Sequence, residues 1–219
     1  MTLSLKIKQA LNSKNADLLE KLSSHDNICV RMMLAINKNI TPSILEKLSQ
    51  DSEYIVRKFV AANSNTSDTV LTLLSKDISF PVRLEVAKNK NTPSKVLTQL
   101  SKTPLFAIRI AIAQNKNGIK LLPKLCWDVN PAVRLAVVNN TNVSQKILHI
   151  LSSDPDLKVR TLALKNDKNI IIPKWLSLTK KVKLKNKQKL PRIKITNLNI
   201  DTYSGWETKF FSIKRKLHG

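Results

Sequence analysis

Residues 77–103, DISFPVRLEVAKNKNTPSKVLTQLSKT, hold one complete copy of the unit that decides the fold. Pro81 suits the first turn of a helix, where its missing N–H would be an orphan in any case. Val82 and Val86 lie four apart and share one face, with Ala87 beside them. Asn89 stands where this helix should stop, since Asn tolerates a left-handed C-cap. Thr92-Pro93 then reads as the N-cap and first residue of a second helix with the apolar stripe Val96, Leu97 and Leu100.

Outward from this stretch the pattern repeats in both directions. Arg31, Arg57, Arg83, Arg109, Arg134 and Arg160 are separated by 26, 26, 26, 25 and 26 residues. Each follows an apolar residue (Val30, Val56, Val82, Ile108, Val133, Val159) and precedes, by six positions, Asn37, Asn63, Asn89, Asn115, Asn140 or Asn166. A weaker first copy puts Lys6 and Asn12 in these two slots. The apolar trio recurs as Ile44/Leu45/Leu48, Val70/Leu71/Leu74 and Ile147/Leu148/Leu151. It falls one residue early, as Leu18/Leu19/Leu22 and Leu121/Leu122/Leu125, in two copies whose loop absorbs the missing residue.

Helices of about eight residues are marginal in isolation. Stacking closes an apolar layer between neighbours, so the expectation is an all-α, curved α-solenoid of about seven 25–26-residue two-helix repeats over residues 1–178. Residues 179–219 read as a separate basic C-terminal arm.

Asp51, Asp77, Asp128 and Asp154 each fall six residues before an Arg, and His25 and Thr103 take that slot in two other copies. Such an Asp can hold the turn entering the next helix, or meet an Arg of its own or the adjacent unit. The six arginines could form a phosphate-binding ladder. A periodic carboxylate would neutralise them, however, and Arg suits a fixed bidentate contact. Arg31, Arg57, Arg83, Arg109, Arg134 and Arg160 are therefore expected to be structural together with the four Asp residues.

The phrases VRLEVAKNKNTPSKVLTQLSKT, VRKFVAANSNTSDTVLTLLSKD and VRLAVVNNTNVSQKILHILSSD resemble variant leucine-rich repeats, close in layout to HEAT-like repeats. The resemblance covers about four-fifths of the chain. It implies a curved stack in which one or both helices of a unit can be 3₁₀, and it identifies shape far better than activity. Some members of that family resemble an iron–sulfur protein with an N-terminal cysteine cluster. Cys29 and Cys126 form no such cluster, so no cofactor is expected.

Charge points to a polyanion. The chain carries 38 Lys+Arg against 15 Asp+Glu, a formal charge of +23. Residues 174–219 hold 13 basic and 2 acidic residues, nearly half of that excess. Within the repeats, Lys38, Lys90 and Lys116 follow the recurring Asn, with Lys88 and Lys165 close by; stacking would align them along one edge. Lys180, Lys181, Lys183, Lys185, Lys187, Lys189, Arg192 and Lys194 crowd residues 179–194, and Lys214, Arg215 and Lys216 nearly end the chain. Trp206 and its apolar neighbours offer the arm an anchor or a base-stacking surface. Lysine enrichment by genomic composition is the competing explanation.

Catalysis finds little support. Alkylpurine DNA glycosylases also resemble HEAT-like solenoids, and Trp127-Asp128 is the nearest constellation here, but Asp128 already belongs to the repeated slot. With 3 glycines there is no phosphate-cradling loop. His25, His149 and His218 are too dispersed for a zinc site, so no metal and no catalytic residue is assigned. No apolar run approaches the roughly 18–20 residues that cross a bilayer, and the N-terminus lacks a long apolar signal core. The expectation is a cytoplasmic, non-catalytic module that binds DNA, RNA or a ribonucleoprotein through lysines and the arm. A scaffold for an acidic protein is the alternative, and a glycosylase-like repair enzyme a minor one; an anionic membrane face ranks third among partners.

Overall fold

The computed structural model describes residues 2–167, in which thirteen α-helices and one 3₁₀ helix follow one another with no strand among the described residues. They form pairs: α1 (Leu3–Asn12) with α2 (Ala16–Ser23), α3 (Ile28–Ile36) with α4 (Pro42–Leu48), α5 (Tyr54–Ala62) with α6 (Asp68–Leu74), and α7 (Phe80–Lys88) with α8 (Ser94–Leu100). The fifth unit pairs α9 (Phe106–Gln114) with a 3₁₀ helix (Lys116–Leu121) running into α10 (Leu122–Leu125). The sixth is α11 (Pro131–Val138) with α12 (Gln145–Leu151), and α13 (Leu157–Asn166) opens a seventh.

The odd-numbered helices α1 to α9, then α11 and α13, pack side by side as one layer, each on the first helix of the next unit. The second helices lie behind them. This is an α-solenoid. Val30, Val56, Val82, Ile108, Val133 and Val159 are buried in the seam, because the residue before each Arg faces inward between successive first helices. The trios Ile44/Leu45/Leu48, Val70/Leu71/Leu74 and Val96/Leu97/Leu100 close the gap between layers. Repeat four has only Val82, Val86, Ala87, Val96, Leu97 and Leu100 buried among its helical apolar residues, too small a core for a free unit.

Three local expectations are corrected. Asn89 ends α7 in an extended conformation (φ −66°, ψ 128°), not a left-handed one, because its side chain is needed elsewhere. Helix α8 begins at Ser94 with Pro93 at the N-cap; the Thr92 hydroxyl instead donates to Val86 O at 2.5 Å, satisfying a late α7 carbonyl. In the first repeat the Asn slot belongs to Ser13, not Asn12, because α1 runs to ten residues where α3, α5, α7 and α9 have nine.

The second helices are α-helical except in the shortened fifth repeat. There Gly118 sits six residues after Ile112, where repeats three and four use Thr66 and Thr92 to bond the corresponding carbonyls. A Cβ on Gly118 would lie 2.2 Å from Ile112 O, so only glycine lets the shortened loop tighten into a 3₁₀ turn. Gly118→Ala should therefore lower stability by about 2 kcal/mol. An unchanged urea midpoint would show that the turn relaxes freely.

None of the described helices is long and apolar enough to cross a membrane.

Candidate functional site

Each first helix has a polar turn at either end, and the two turns do different work. At the N-terminal end, Asp51 Oδ1 accepts the Glu53 N–H at 3.0 Å, which shapes the turn entering α5. Its carboxylate also takes the Arg31 fork of the preceding repeat, with Nε at 2.6 Å and Nη2 at 3.0 Å. Its backbone carbonyl accepts Arg57 Nη1 of its own repeat at 2.7 Å. One Asp thus joins two arginines, and the pattern continues as Arg57–Asp77, Arg109–Asp128 and Arg134–Asp154, with Nε–Oδ2 distances of 2.6, 2.6 and 2.7 Å.

These rungs are largely dehydrated: the Asp side chains are 3–8 % exposed and the Arg side chains 11–14 %. Hydrogen bonding to Asp raises the pKa of Arg31, Arg57, Arg109 and Arg134 against the opposing effect of burial. Burial alone would push Asp77 and Asp128 up, but the Arg fork and a backbone N–H outweigh it and hold both below the usual carboxylate range. Asp154 is lowered chiefly by Arg134. Four of the six arginines are therefore neutralised in place. Arg83 and Arg160 hold the same pair of preceding carbonyls, Arg83 at 2.5 and 2.9 Å, without a carboxylate partner among the described residues. In the first repeat Lys6 Nζ meets His25 Nε2 at 3.1 Å, and His25 Nδ1 accepts the Asn27 N–H as an Asp would.

At the C-terminal end stands a second ladder. Asn89 Nδ2 donates to Ala61 O at 2.7 Å and Asn63 O at 2.9 Å in the preceding repeat, while its Oδ1 accepts the Asn91 N–H at 2.9 Å. Asn37, Asn63 and Asn115 do the same. Asn140 and Asn166 reach Ala113 O and Val138 O. The last carbonyls of a helix have no partner of their own, so each repeat caps the one before it. A flanking outer set reinforces this: Asn65 donates to Lys38 O, Asn91 to Ser64 O and Asn117 to Lys90 O, at 2.7–2.9 Å.

In the turns that end α3, α5, α7, α9 and α11, one exposed residue sits between the two Asn residues, and the ladders stack these directly. Lys38, Ser64, Lys90 and Lys116 follow in file, with Thr141 next. Lys14 heads the file: Asn37 donates to Ser13 O, and Ser13 Oγ accepts the Asn15 N–H at 3.0 Å, as the Asn side chains do elsewhere. Sequence spacing alone missed Lys14 because the longer α1 shifts it by one. The turns 13–15, 37–39, 63–65, 89–91, 115–117 and 140–142 contain no carboxylate. A helix of nine residues, at about 1.5 Å per residue, keeps this edge roughly 13 Å from the Arg–Asp edge.

The other expected lysines lie elsewhere. Lys88, on α7, pairs with Glu85 at 2.9 Å. Lys165, on α13, borders a groove with Leu135, Leu157 and Leu162. Lys180, Lys181, Lys183, Lys185, Lys187, Lys189, Arg192, Lys194, Lys214, Arg215 and Lys216, with Trp206, lie outside the described residues. Trp127 is 70 % exposed, whereas its neighbour Asp128 commits both oxygens to Arg109 and the Asn130 N–H. No cluster of metal-ligating side chains occurs among the described residues.

No family model matches this chain, and no curated protein matches it. Among solved structures it is similar to a leucine-rich repeat variant with a novel repetitive protein structural motif, at 24% identity and a TM-score of 0.57. The match covers 74% of this chain and 65% of that one. The fold is that of a variant leucine-rich repeat protein.

Proposed function

We propose that this chain is a non-catalytic module that binds the phosphate backbone of DNA or RNA, free or in a ribonucleoprotein, with little reading of base sequence. The observation that carries this reading is the file of Lys14, Lys38, Lys90 and Lys116 on stacked turns that hold no carboxylate. Four of the six repeat arginines are neutralised by Asp on the opposite edge, so most of the free positive charge is lysine charge, which acts on phosphates as a point charge. The 13 basic residues of positions 174–219 add to it.

The test is the salt dependence of duplex binding. Replacing all four lysines by Gln should lower the slope of log K against log salt by roughly 3–4, near 0.9 for each phosphate contact. All four side chains are exposed, so the fold should survive. An unchanged slope removes the edge from the proposal, and no polyanion affinity in the full chain removes the proposal itself.

A second reading is an acidic protein partner. It is favoured by Ile78 (92 % exposed), Val129 (90 %) and Trp127 (70 %) in the turns of the Arg–Asp edge, which give a partner apolar surface that a phosphate backbone would not use. Nuclease-resistant capture of one acidic protein, lost on Trp127→Ser and Val129→Ser, would favour it.

A further inference from the structure

Thr103 is where the Arg–Asp ladder changes its chemistry. In the sister rungs three donors converge on one carboxylate: Nε–H and Nη2–H of the preceding arginine, and the N–H two residues beyond the Asp. At Thr103 the same frame is present. Arg83 is oriented like its sisters, its Nη1 donating to Asp77 O and Ile78 O as Arg57 Nη1 donates to Asp51 O and Ser52 O. Leu105 N–H points at the Thr103 hydroxyl, at 3.4 Å instead of the 2.8–3.0 Å of the Asp turns. Thr ends at its γ atoms, one bond short of the carboxylate oxygens of Asp, so it does not bridge to the fork. Arg83 Nε and Nη2 have no acceptor among the described residues.

We propose that Arg83, with the Leu105 N–H and the Thr103 hydroxyl, forms a binding site for a small tetrahedral oxyanion, inorganic phosphate in particular. One edge of phosphate offers the two-oxygen face that the guanidinium fork takes from Asp in the other rungs. A third oxygen reaches the turn N–H, and a protonated oxygen can donate to Thr103 Oγ1. Arg83 is half-buried, so an anion here is partly dehydrated yet exchanges with solvent, and the exposed Lys102 beside Thr103 adds favourable charge. Bound phosphate would complete the chain of rungs from Arg31 to Arg160, and so couple anion concentration to the stability of the stack. The site lies on the edge opposite the lysine file and does not depend on nucleic-acid binding.

The experiment follows thermal unfolding of the full chain while inorganic phosphate replaces chloride at constant ionic strength. Wild type should gain about 3–6 °C as the site saturates. Thr103→Asp supplies the missing carboxylate, so it should melt higher than wild type in phosphate-free buffer and lose the phosphate response. The quadruple lysine-to-glutamine variant should keep the response, which separates this site from the lysine edge. Absence of a response in wild type overturns the proposal. So does an equal response in Thr103→Asp, or a Thr103→Asp protein no more stable than wild type, since that would mean the fork does not accept an anion there.

Discussion

Asn89→Ala should lower the stability of the stack by about 3–5 kcal/mol, the largest effect of any single polar substitution in the middle repeats. The substitution leaves Ala61 O, Asn63 O and the Asn91 N–H without their side-chain partner, and Asn89 is only 7 % exposed, so water replaces little of the loss. Each such group costs about 1–3 kcal/mol when left unmet, and Asn63 O keeps one bond, from Thr66 N–H. Asn91→Ala is the matched control. Its amide also bonds two carbonyls of the preceding repeat, at 2.7 and 3.5 Å, but at a wetter position, and about 1 kcal/mol is expected. Because each unit coheres only with its neighbours, Asn89→Ala also weakens one interface in the middle of the array. Urea unfolding should show a lower midpoint and, if the two halves then melt apart, a shallower slope. Equal losses in the two variants would mean that the buried amide is not what joins the repeats.

That ladder also marks the boundary of what the residues disclose unaided. The spacing of Arg31 to Arg160 and the apolar trios suffice for a two-helix unit stacked on its copies, because a short helix with one apolar stripe has no other way to cover it. An Asn at a helix end has two uses, a left-handed turn or a side-chain amide reaching away. Only the position of the preceding repeat decides between them. The Asp residues pose the same ambiguity in another form: Asp77 lies six residues from Arg83 and twenty from Arg57, and it bonds Arg83 with its carbonyl but Arg57 with its carboxylate. Lys14 was hidden for a geometric reason, one extra residue in α1. Lys88 was drawn into the lysine line by proximity in sequence, although it lies on the helix itself and faces Glu85. Proximity to the Asn is thus a poor guide to the edge; occupancy of the place between the two Asn residues is the criterion.

The second large effect is acid unfolding. Asp77, Asp128 and Asp154 each have a folded-state pKa below the ordinary value, so each binds its proton more readily in the unfolded chain than in the folded one. Stability from these rungs is therefore fully present above the unfolded carboxylate pKa, near 3.9, and is lost as pH falls through the lower folded values. The urea midpoint should stay nearly flat from pH 7 to about 5 and then fall steeply, with most of the stability gone by about pH 2–3. Protonation removes an acceptor from a fork that is itself only 11–14 % exposed, leaving an unpaired guanidinium between repeats. A formal charge of +23 adds a second acid-sensitive contribution, self-repulsion, which rises as carboxylates anywhere on the chain are protonated. Salt separates the two. Repulsion between exposed charges is screened within about 8 Å at physiological ionic strength, whereas the buried rungs are screened far less. The acid limb should therefore persist in about 0.5 M salt, well above that ionic strength. If salt restores the neutral-pH midpoint at pH 3, net charge and not the loss of the Asp bridges causes the unfolding, and the arginines contribute less to joining the repeats than their geometry implies.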